Sequence, residues 1–279
     1  MIAVCITTYN HEAFIAQAIE SVLQQVCDEP IRIYIGDDAS TDNTQAVCER
    51  YAAHDTRIHY IRRKTNMGLV NNTLDLYNRI LADHCAYIAM LDGDDYWTDP
   101  HKLQQQIDCL RVHPQIGLVH TAAYEDIEGQ LYETDSADKP TGDIRLLYNF
   151  EGALHTNCTV VFRSSLLEQH QMEAIRRQHF LMLDYPLYGL LAQRTQFAYI
   201  YHYTAAWRKH QSVSQPATIM PFLRYQFHYA RCWRWLDRQY PGHFHFQWYK
   251  AILWYLWQIL YALIHFCKIF FKKISLLFA

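Results

Sequence analysis

Three carboxylates fall within four residues at Asp92-Gly93-Asp94-Asp95, directly behind the apolar run Ala86–Leu91 and ahead of Tyr96-Trp97. Acids this close can share one divalent cation and, through it, bound phosphates, so the chemistry they suggest is stabilisation of a departing diphosphate. A solvated turn or a helix cap before Asp99-Pro100 is the plainer use of the same residues. The apolar strand in front and the aromatic pair behind favour the first reading, because three anions in such surroundings are costly without a counter-charge.

A second constellation joins Thr7-Thr8-Tyr9-Asn10 to Asp37-Asp38. Tyr9 offers a flat ring on which a base can stack, and Asp38 a carboxylate that can accept from a pyrimidine N–H. Either piece alone is weak, since Asp-Asp before Ser40-Thr41 also reads as a helix cap. Taken alone, Asp184 reads as the N-cap of a helix running through Leu190.

The elements that must position these residues alternate between two periodicities. Ile2–Thr7, Ile31–Ile35, Ile58–Ile61 and Ala86–Leu91 read as strands. Between them, Glu12–Gln25 repeats Phe14, Ile15, Ala18, Ile19, Val22 and Leu23 at helical spacing, a second helix begins near Asn43, and a third covers Leu69–Leu81. Strand–helix alternation predicts an α/β fold with a mostly parallel central sheet flanked by helices. In such sheets ligands bind beyond the carboxyl ends of the strands, where Thr7–Asn10, Asp37-Asp38 and Asp92–Asp95 all fall. Beyond Pro100 the pattern is mixed: a helix over Lys102–Val112, β-like runs at Gly117–Thr121 and Thr159–Phe162, and a helix after Asp184.

In order and spacing, Val4–Gln25, Ile35-Gly36-Asp37-Asp38-Ala39-Ser40-Thr41-Asp42, Asn66-x-Gly68 and Leu91-Asp92-Gly93-Asp94-Asp95-Tyr96-Trp97 resemble the family 2 glycosyltransferases of GT-A fold. The likeness continues through His155–Arg163, Asp184-Tyr185-Pro186-Leu187 and Trp207-Arg208-x-His210-x-x-x-Ser214, covering roughly residues 2 to 215. It implies inverting transfer of a sugar from a nucleotide-sugar, commonly a UDP-sugar, to an acceptor hydroxyl. Carried over by position, Tyr9 and Asp38 would contact the base with Thr7 beside them, and Asp92 and Asp94 match the D-x-D motif. Asp94 or Asp95 would bind Mg²⁺ or Mn²⁺, and Arg208 and His210 match a loop over the donor phosphates. Asp184 resembles the catalytic base, although Leu183 stands where relatives usually carry an acidic or small residue. Glu168 and Glu173 lie outside the motif. Val70-Asn71-Asn72 replaces the Ala-Arg-Asn of many members, which leaves Arg62, Arg63 or Lys64 to supply any cationic phosphate contact.

Charge is uneven along the 279 residues: residues 1 to 221 carry 17 Lys+Arg against 27 Asp+Glu, whereas 222 to 279 carry eight against the single Asp237. The later stretch also holds 19 of the 41 aromatic residues, including Trp233, Trp235, Trp248, Trp254 and Trp257. A basic, aromatic-rich tail fits a membrane surface better than nucleic acid. Residues 216–279 are accordingly expected to form a helical, membrane-associating tail behind a catalytic domain at 1–215. Within it, Ala251–Phe271 is strongly apolar but interrupted by Gln258, His265 and Lys268 on one helical face. An interfacial helix suits that pattern best, ahead of a spanning helix or one folded onto the body.

The eight cysteines form no C-x-x-C pair, which fits reduced thiols, and the N-terminus lacks the basic flank of a signal peptide. The expected location is the cytoplasmic face of the inner membrane, with a glycan or lipid-linked glycan as acceptor. His243-x-His245 lacks a metal spacing, and Asn71-Asn72-Thr73 and Asn157-Cys158-Thr159 resemble glycosylation triplets of little meaning in a cytoplasmic domain. Competing functions are a catalytically silent nucleotide-sugar-binding module and a metal-dependent phosphohydrolase, the second of which leaves the base-stacking constellation unexplained.

Overall fold

The computed structural model describes residues 1–135, 139, 141–143, 156–210 and 219–241, together with 256, 257 and 260. It divides into two compact units, Met1–Lys209 and His210–Ala279.

The first unit begins as the sequence pattern predicts. Strands β1 (Ile2–Thr8), β2 (Ile31–Asp37), β3 (Ile58–Arg62) and β4 (Tyr87–Asp92) alternate with helices α1 (Ile15–Leu23), α2 (Thr44–His54) and α3 (Leu69–Ala82). Helix crossovers return each strand parallel to its neighbour, in the order β3-β2-β1-β4. β1 is buried along its whole length. Its neighbour α1 buries Ile15, Ala18, Ile19 and Val22, the face its spacing predicts. Burial of Ile15, Ile19 and Val22 contributes about 1.5–3 kcal/mol each relative to exposure.

The second half keeps the expected helices over Lys102–Val112 and after Asp184 but departs from a mostly parallel sheet. It contains β5 (Tyr96–Trp97), α4 (Lys102–Val112), β6 (Ile116–Ile127), β7 (Gln130–Glu133), β8 (Val161–Arg163), α5 (Gln169–Arg176), α6 (Asp184–Leu191) and β9 (Gln196–Arg208). The full order is β3-β2-β1-β4-β8-β6-β9-β5, with β7 paired to β6. The sheet is therefore mixed, not mostly parallel. β8 runs antiparallel to β4 and β6, and β5 antiparallel to β9, while β6 and β9 are parallel. β6 and β7 form a hairpin across Glu128 (φ 53°) and Gly129 (φ 86°), and two successive left-handed residues make the tight turn that reverses the chain. Pairing direction depends on such connections, and the two-residue periodicity of a strand is the same in either direction.

The second unit contains α7 (Ile219–Gln239). Trp233 and Trp235, expected at a membrane surface, are buried, whereas Leu256, Trp257 and Leu260 are exposed. The rest of the apolar run Ala251–Phe271 lies outside the described residues, as do Trp248 and Trp254. Among the described residues no helix is long and apolar enough to cross a membrane. The described cysteines are all free thiols.

Candidate active site

Register places the three sequence clusters side by side. Thr8 at the end of β1 lies beside Asp37 of β2, and Thr7 beside Asp92 of β4, so all three loops leave one carboxyl edge of the sheet. The first two loops are tied together: Asn10 N donates to Ser40 Oγ at 3.0 Å, and Thr41 N to Asn10 Oδ1 at 2.7 Å. Ala39 is held at φ 65°, a conformation disfavoured for an L-residue and retained here by that network. Tyr9 stands on this platform with 43% of its surface exposed.

Asp38 is buried and grips the loop ahead of α3. Its two oxygens accept from Met67 N and Gly68 N, each at 2.8 Å. Burial pushes its carboxyl up, and those two N–H groups oppose the shift. Gly68, at φ 84°, supplies the left-handed turn from which α3 starts. Arg63 is committed to Asn72 and Asp75, and Arg62 donates to the Ser40 carbonyl at 3.0 Å. Lys64 is exposed.

At the acidic turn the three carboxylates take different positions. Asp92 Oδ1 accepts from Thr7 Oγ1 at 2.8 Å, and its Oδ2 from Asn157 Nδ2 at 3.2 Å. Burial first, then the charges of Asp94 and Asp184, push its carboxyl up to about 6. Asp95 is buried, accepts from the Arg208 backbone N–H at 2.9 Å, and is raised well above the usual carboxylate range by burial and by its acidic neighbours. Asp94 is partly open, as Asp92 is, and its carboxylate lies 3.8 Å from His11 Nε2. Arg208 lies over the turn. Its guanidinium donates to the Asp94 carbonyl and to Gln17 Oε1 and sits between the rings of Phe14 and Tyr96, 4.6 and 5.0 Å from their centroids. His210 falls in the second unit.

Asp184 opens α6, where a carboxylate suits the positive end of a helix, and its Oδ1 accepts from Tyr185 N at 2.8 Å. Burial raises its carboxyl above the ordinary range. Asp92 and Asp184 line one pocket, which also includes Asn157 and Tyr188. Asn157 connects its two sides: beyond its bond to Asp92, its Oδ1 accepts from Tyr188 OH at 2.8 Å. Tyr188 lies one helical turn after Asp184. The short turn carrying Asn157 is itself anchored from below, by Trp97 Nε1 to the Cys158 carbonyl and Gln106 Nε2 to the Thr159 carbonyl, both at 2.8 Å. Sequence reasoning missed Asn157 and Tyr188 as site residues, although Asn157 lies within the resembling stretch His155–Arg163. His155 and Ser214 lie outside the described residues.

The sequence model described as "Glycosyl transferase family 2" matches residues 3–170. The chain belongs to this family. Among family relatives, the dTDP-rhamnosyl transferase RfbG of Shigella flexneri is 28% identical over 222 residues, which is 76% of this chain and 74% of RfbG. Other curated relatives match at 38% identity over 109 residues, and there the chain spans 31% of their length. Solved structures share the fold. S. aureus TarS with UDP-GlcNAc superposes with a TM-score of 0.61 at 16% identity, over 84% of this chain and 65% of TarS. The mannosyltransferase PcManGT of Pyrobaculum calidifontis, in complex with GDP-Man and Mn²⁺, gives 0.61 at 14% identity, over 100% of this chain and 80% of that one. The α/β architecture is thus the GT-A type of glycosyltransferases that bind nucleotide-sugars.

Among the described residues no group of three or more His, Cys, Asp or Glu side chains converges on a metal position. Mg²⁺ and Mn²⁺ do not need such a cage when a substrate brings phosphates, since one or two carboxylates then complete the shell. The partly open Asp94 offers one such carboxylate, so the residues present fit a metal that arrives with a nucleoside diphosphate.

Proposed function

We propose that the chain is an inverting glycosyltransferase that moves a sugar from a nucleotide-sugar, preferentially a UDP-sugar, to a hydroxyl of a glycan or lipid-linked glycan. The observation that carries this reading is the single pocket lined by both Asp92 and Asp184. An in-line displacement needs opposite sides: one that holds the leaving diphosphate and one that takes a proton from the incoming hydroxyl.

Asp184 serves as the general base. Its carboxylate accepts the acceptor's proton as the oxygen attacks the anomeric carbon, and its raised affinity for protons suits that task. Tyr9 stacks on the base and Asp38 accepts from it, with Thr7 fixing Asp92 behind them. Asp94 is the metal ligand preferred here; Asp95 faces inward and holds the Arg208 backbone, which fixes the turn's shape. The metal, Mg²⁺ or Mn²⁺, would neutralise the diphosphate charge. Arg208 adds positive charge directly over the turn.

The basic, aromatic-rich residues 222–279 support a further part of the proposal, attachment to the cytoplasmic face of a membrane, where a lipid-linked acceptor would be found. The test of the catalytic reading is nucleoside diphosphate release from a nucleotide-sugar panel with Mn²⁺. Release that Asp184→Asn leaves unchanged would remove Asp184 from the role of base.

A further inference from the structure

We infer that α7 docks on an anionic phospholipid bilayer through one stripe of arginines, Arg224, Arg231, Arg234 and Arg238. Contact between guanidinium groups and lipid phosphates, not insertion of the α7 tryptophans, carries the binding. The inference rests on the membrane-attachment part of the proposed function and deepens it, by assigning the helix face and the lipid chemistry.

Helix periodicity sorts α7 into two sides. At about 100° per residue, the four arginine positions fall within about 80° of one another. Arg224, Arg234 and Arg238 are exposed and Arg231 is half-buried, while Phe227, on the same stripe, is 52% exposed. Cys232, Trp233 and Leu236 on the far side are buried, and so is Trp235 at the stripe's margin. An inserting helix does the reverse, laying its Trp, Phe and Leu side chains into the acyl boundary. Here the tryptophans are turned into the protein, which leaves the cations to meet a surface.

Charge on the stripe is of one sign. Asp237, the single acid of residues 222–279, lies outside it and is half-buried. His228 registers the local field: burial first, then the charges of Arg231 and Arg224, lower its pKa. α7 carries arginine and no lysine. A guanidinium can give two parallel N–H bonds to one phosphate, whereas an ammonium acts as a point charge, so the stripe fits a surface of phosphodiesters. Duplex nucleic acid also presents phosphates. Lipid is favoured because the same unit exposes apolar side chains, Phe227 on the stripe and Leu256, Trp257 and Leu260 beyond it. Such groups gain from an acyl boundary and gain nothing from a phosphate backbone.

The test sediments the full chain with phosphatidylcholine vesicles made with or without phosphatidylglycerol, at about 0.1 M and about 1 M salt. The chain should partition to the phosphatidylglycerol vesicles at the lower salt, bind pure phosphatidylcholine far more weakly, and be released at the higher salt. The combined variant Arg224→Gln, Arg234→Gln and Arg238→Gln should bind the anionic vesicles on the order of a hundredfold more weakly, about fivefold per arginine. The matching variant with lysine at all three positions keeps the charge and should stay within about tenfold of wild type. The lipid and salt dependence of the wild type needs no variant, so a variant that misfolds does not shelter the inference. Equal binding to both vesicle types, or a glutamine variant that binds like wild type, would overturn the arginine stripe while leaving attachment through another part of residues 222–279 intact. A duplex oligonucleotide that displaces the chain from anionic vesicles at equal phosphate concentration would make the stripe a nucleic-acid site instead. Sedimentation with neither vesicle type would overturn both the stripe and the attachment.

Discussion

Asn157 donates its side-chain amide to Asp92 across 3.2 Å, and its amide oxygen accepts from Tyr188 on the helix that Asp184 opens. One neutral side chain thereby ties the Asp92 carboxylate to the helix that Asp184 opens. Neutrality matters, since Asp92 already feels the charges of Asp94 and Asp184. Asn157→Ala should lower nucleoside diphosphate release by about 10–100-fold, the range seen when groups that orient a site's ligands are removed. Asn157→Asp, which places a further carboxylate against Asp92, should be slower still. Steady-state rates of the two variants check the order; an Asp variant as fast as wild type would contradict the electrostatic part.

Asp184→Asn keeps the size and the bond to Tyr185 but cannot take a proton. Transfer should fall by about 10²–10⁴-fold, with the donor's dissociation constant changed far less. Because burial raises the Asp184 carboxyl, the base is protonated and idle at low pH and becomes active only above that raised value. The acid limb of kcat/KM should therefore lie above the roughly 3.9 of a free aspartate. A limb at or below that value would place the essential base elsewhere.

Gly93 has no room for a side chain. A methyl group there would lie 2.9 Å from Thr8 Oγ1 and from His11 Nδ1, so Gly93→Ala must push the turn off β1. Overpacking of this kind costs about 1–3 kcal/mol. Thermal unfolding should show a lower Tm, and calorimetry a weaker Mn²⁺-dependent affinity for UDP; unchanged values for both would mean the turn is not held as described.

Lys102 is fully buried on α4. Its Nζ donates to Gln106 Oε1 at 2.5 Å and lies 4.7 Å from the Trp97 ring centre, and burial lowers its pKa to about 7. In the unfolded chain the ammonium persists to about 10.4. Between those values the unfolded chain binds more protons than the folded one, so stability rises with pH across the window. Wild type should gain Tm from pH 7 to 9 relative to Lys102→Met, which has no proton to lose. Parallel Tm–pH curves for the two proteins would contradict the assignment.

The four parallel strands and their helices were legible because each repeats its apolar residues at the period of its own element, as Ile15, Ala18, Ile19 and Val22 do in α1. α4 begins and ends where its pattern does, at Lys102 and Val112. The mixed half was not legible in the same way. β5 has only two residues, and the hairpin at Glu128-Gly129 depends on left-handed backbone that Glu128 does not advertise. Within the site, Asp92 and Asp94 stand out as clustered acids behind an apolar strand, whereas the neighbours of Asp184 read as a helix start and only the family resemblance marks it as a base. Asn157 carries no such local mark. Its partners are 65 and 31 residues away, and its own triplet resembles a glycosylation signal. The unequal burial of Asp94 and Asp95 was equally hidden, because it depends on Arg208 arriving from β9 to take the Asp95 carboxylate.

The central claim is that the acidic turn holds a metal-bound leaving diphosphate opposite Asp184. Its most direct measurement is nucleoside diphosphate release from a panel of UDP-, dTDP- and GDP-sugars, with Mn²⁺ or EDTA, by wild type and by Asp94→Asn. The account predicts release from at least one donor with Mn²⁺, abolished by EDTA and strongly reduced in Asp94→Asn. Release that is indifferent to EDTA and to Asp94→Asn, or no release from any donor that binds, would contradict it.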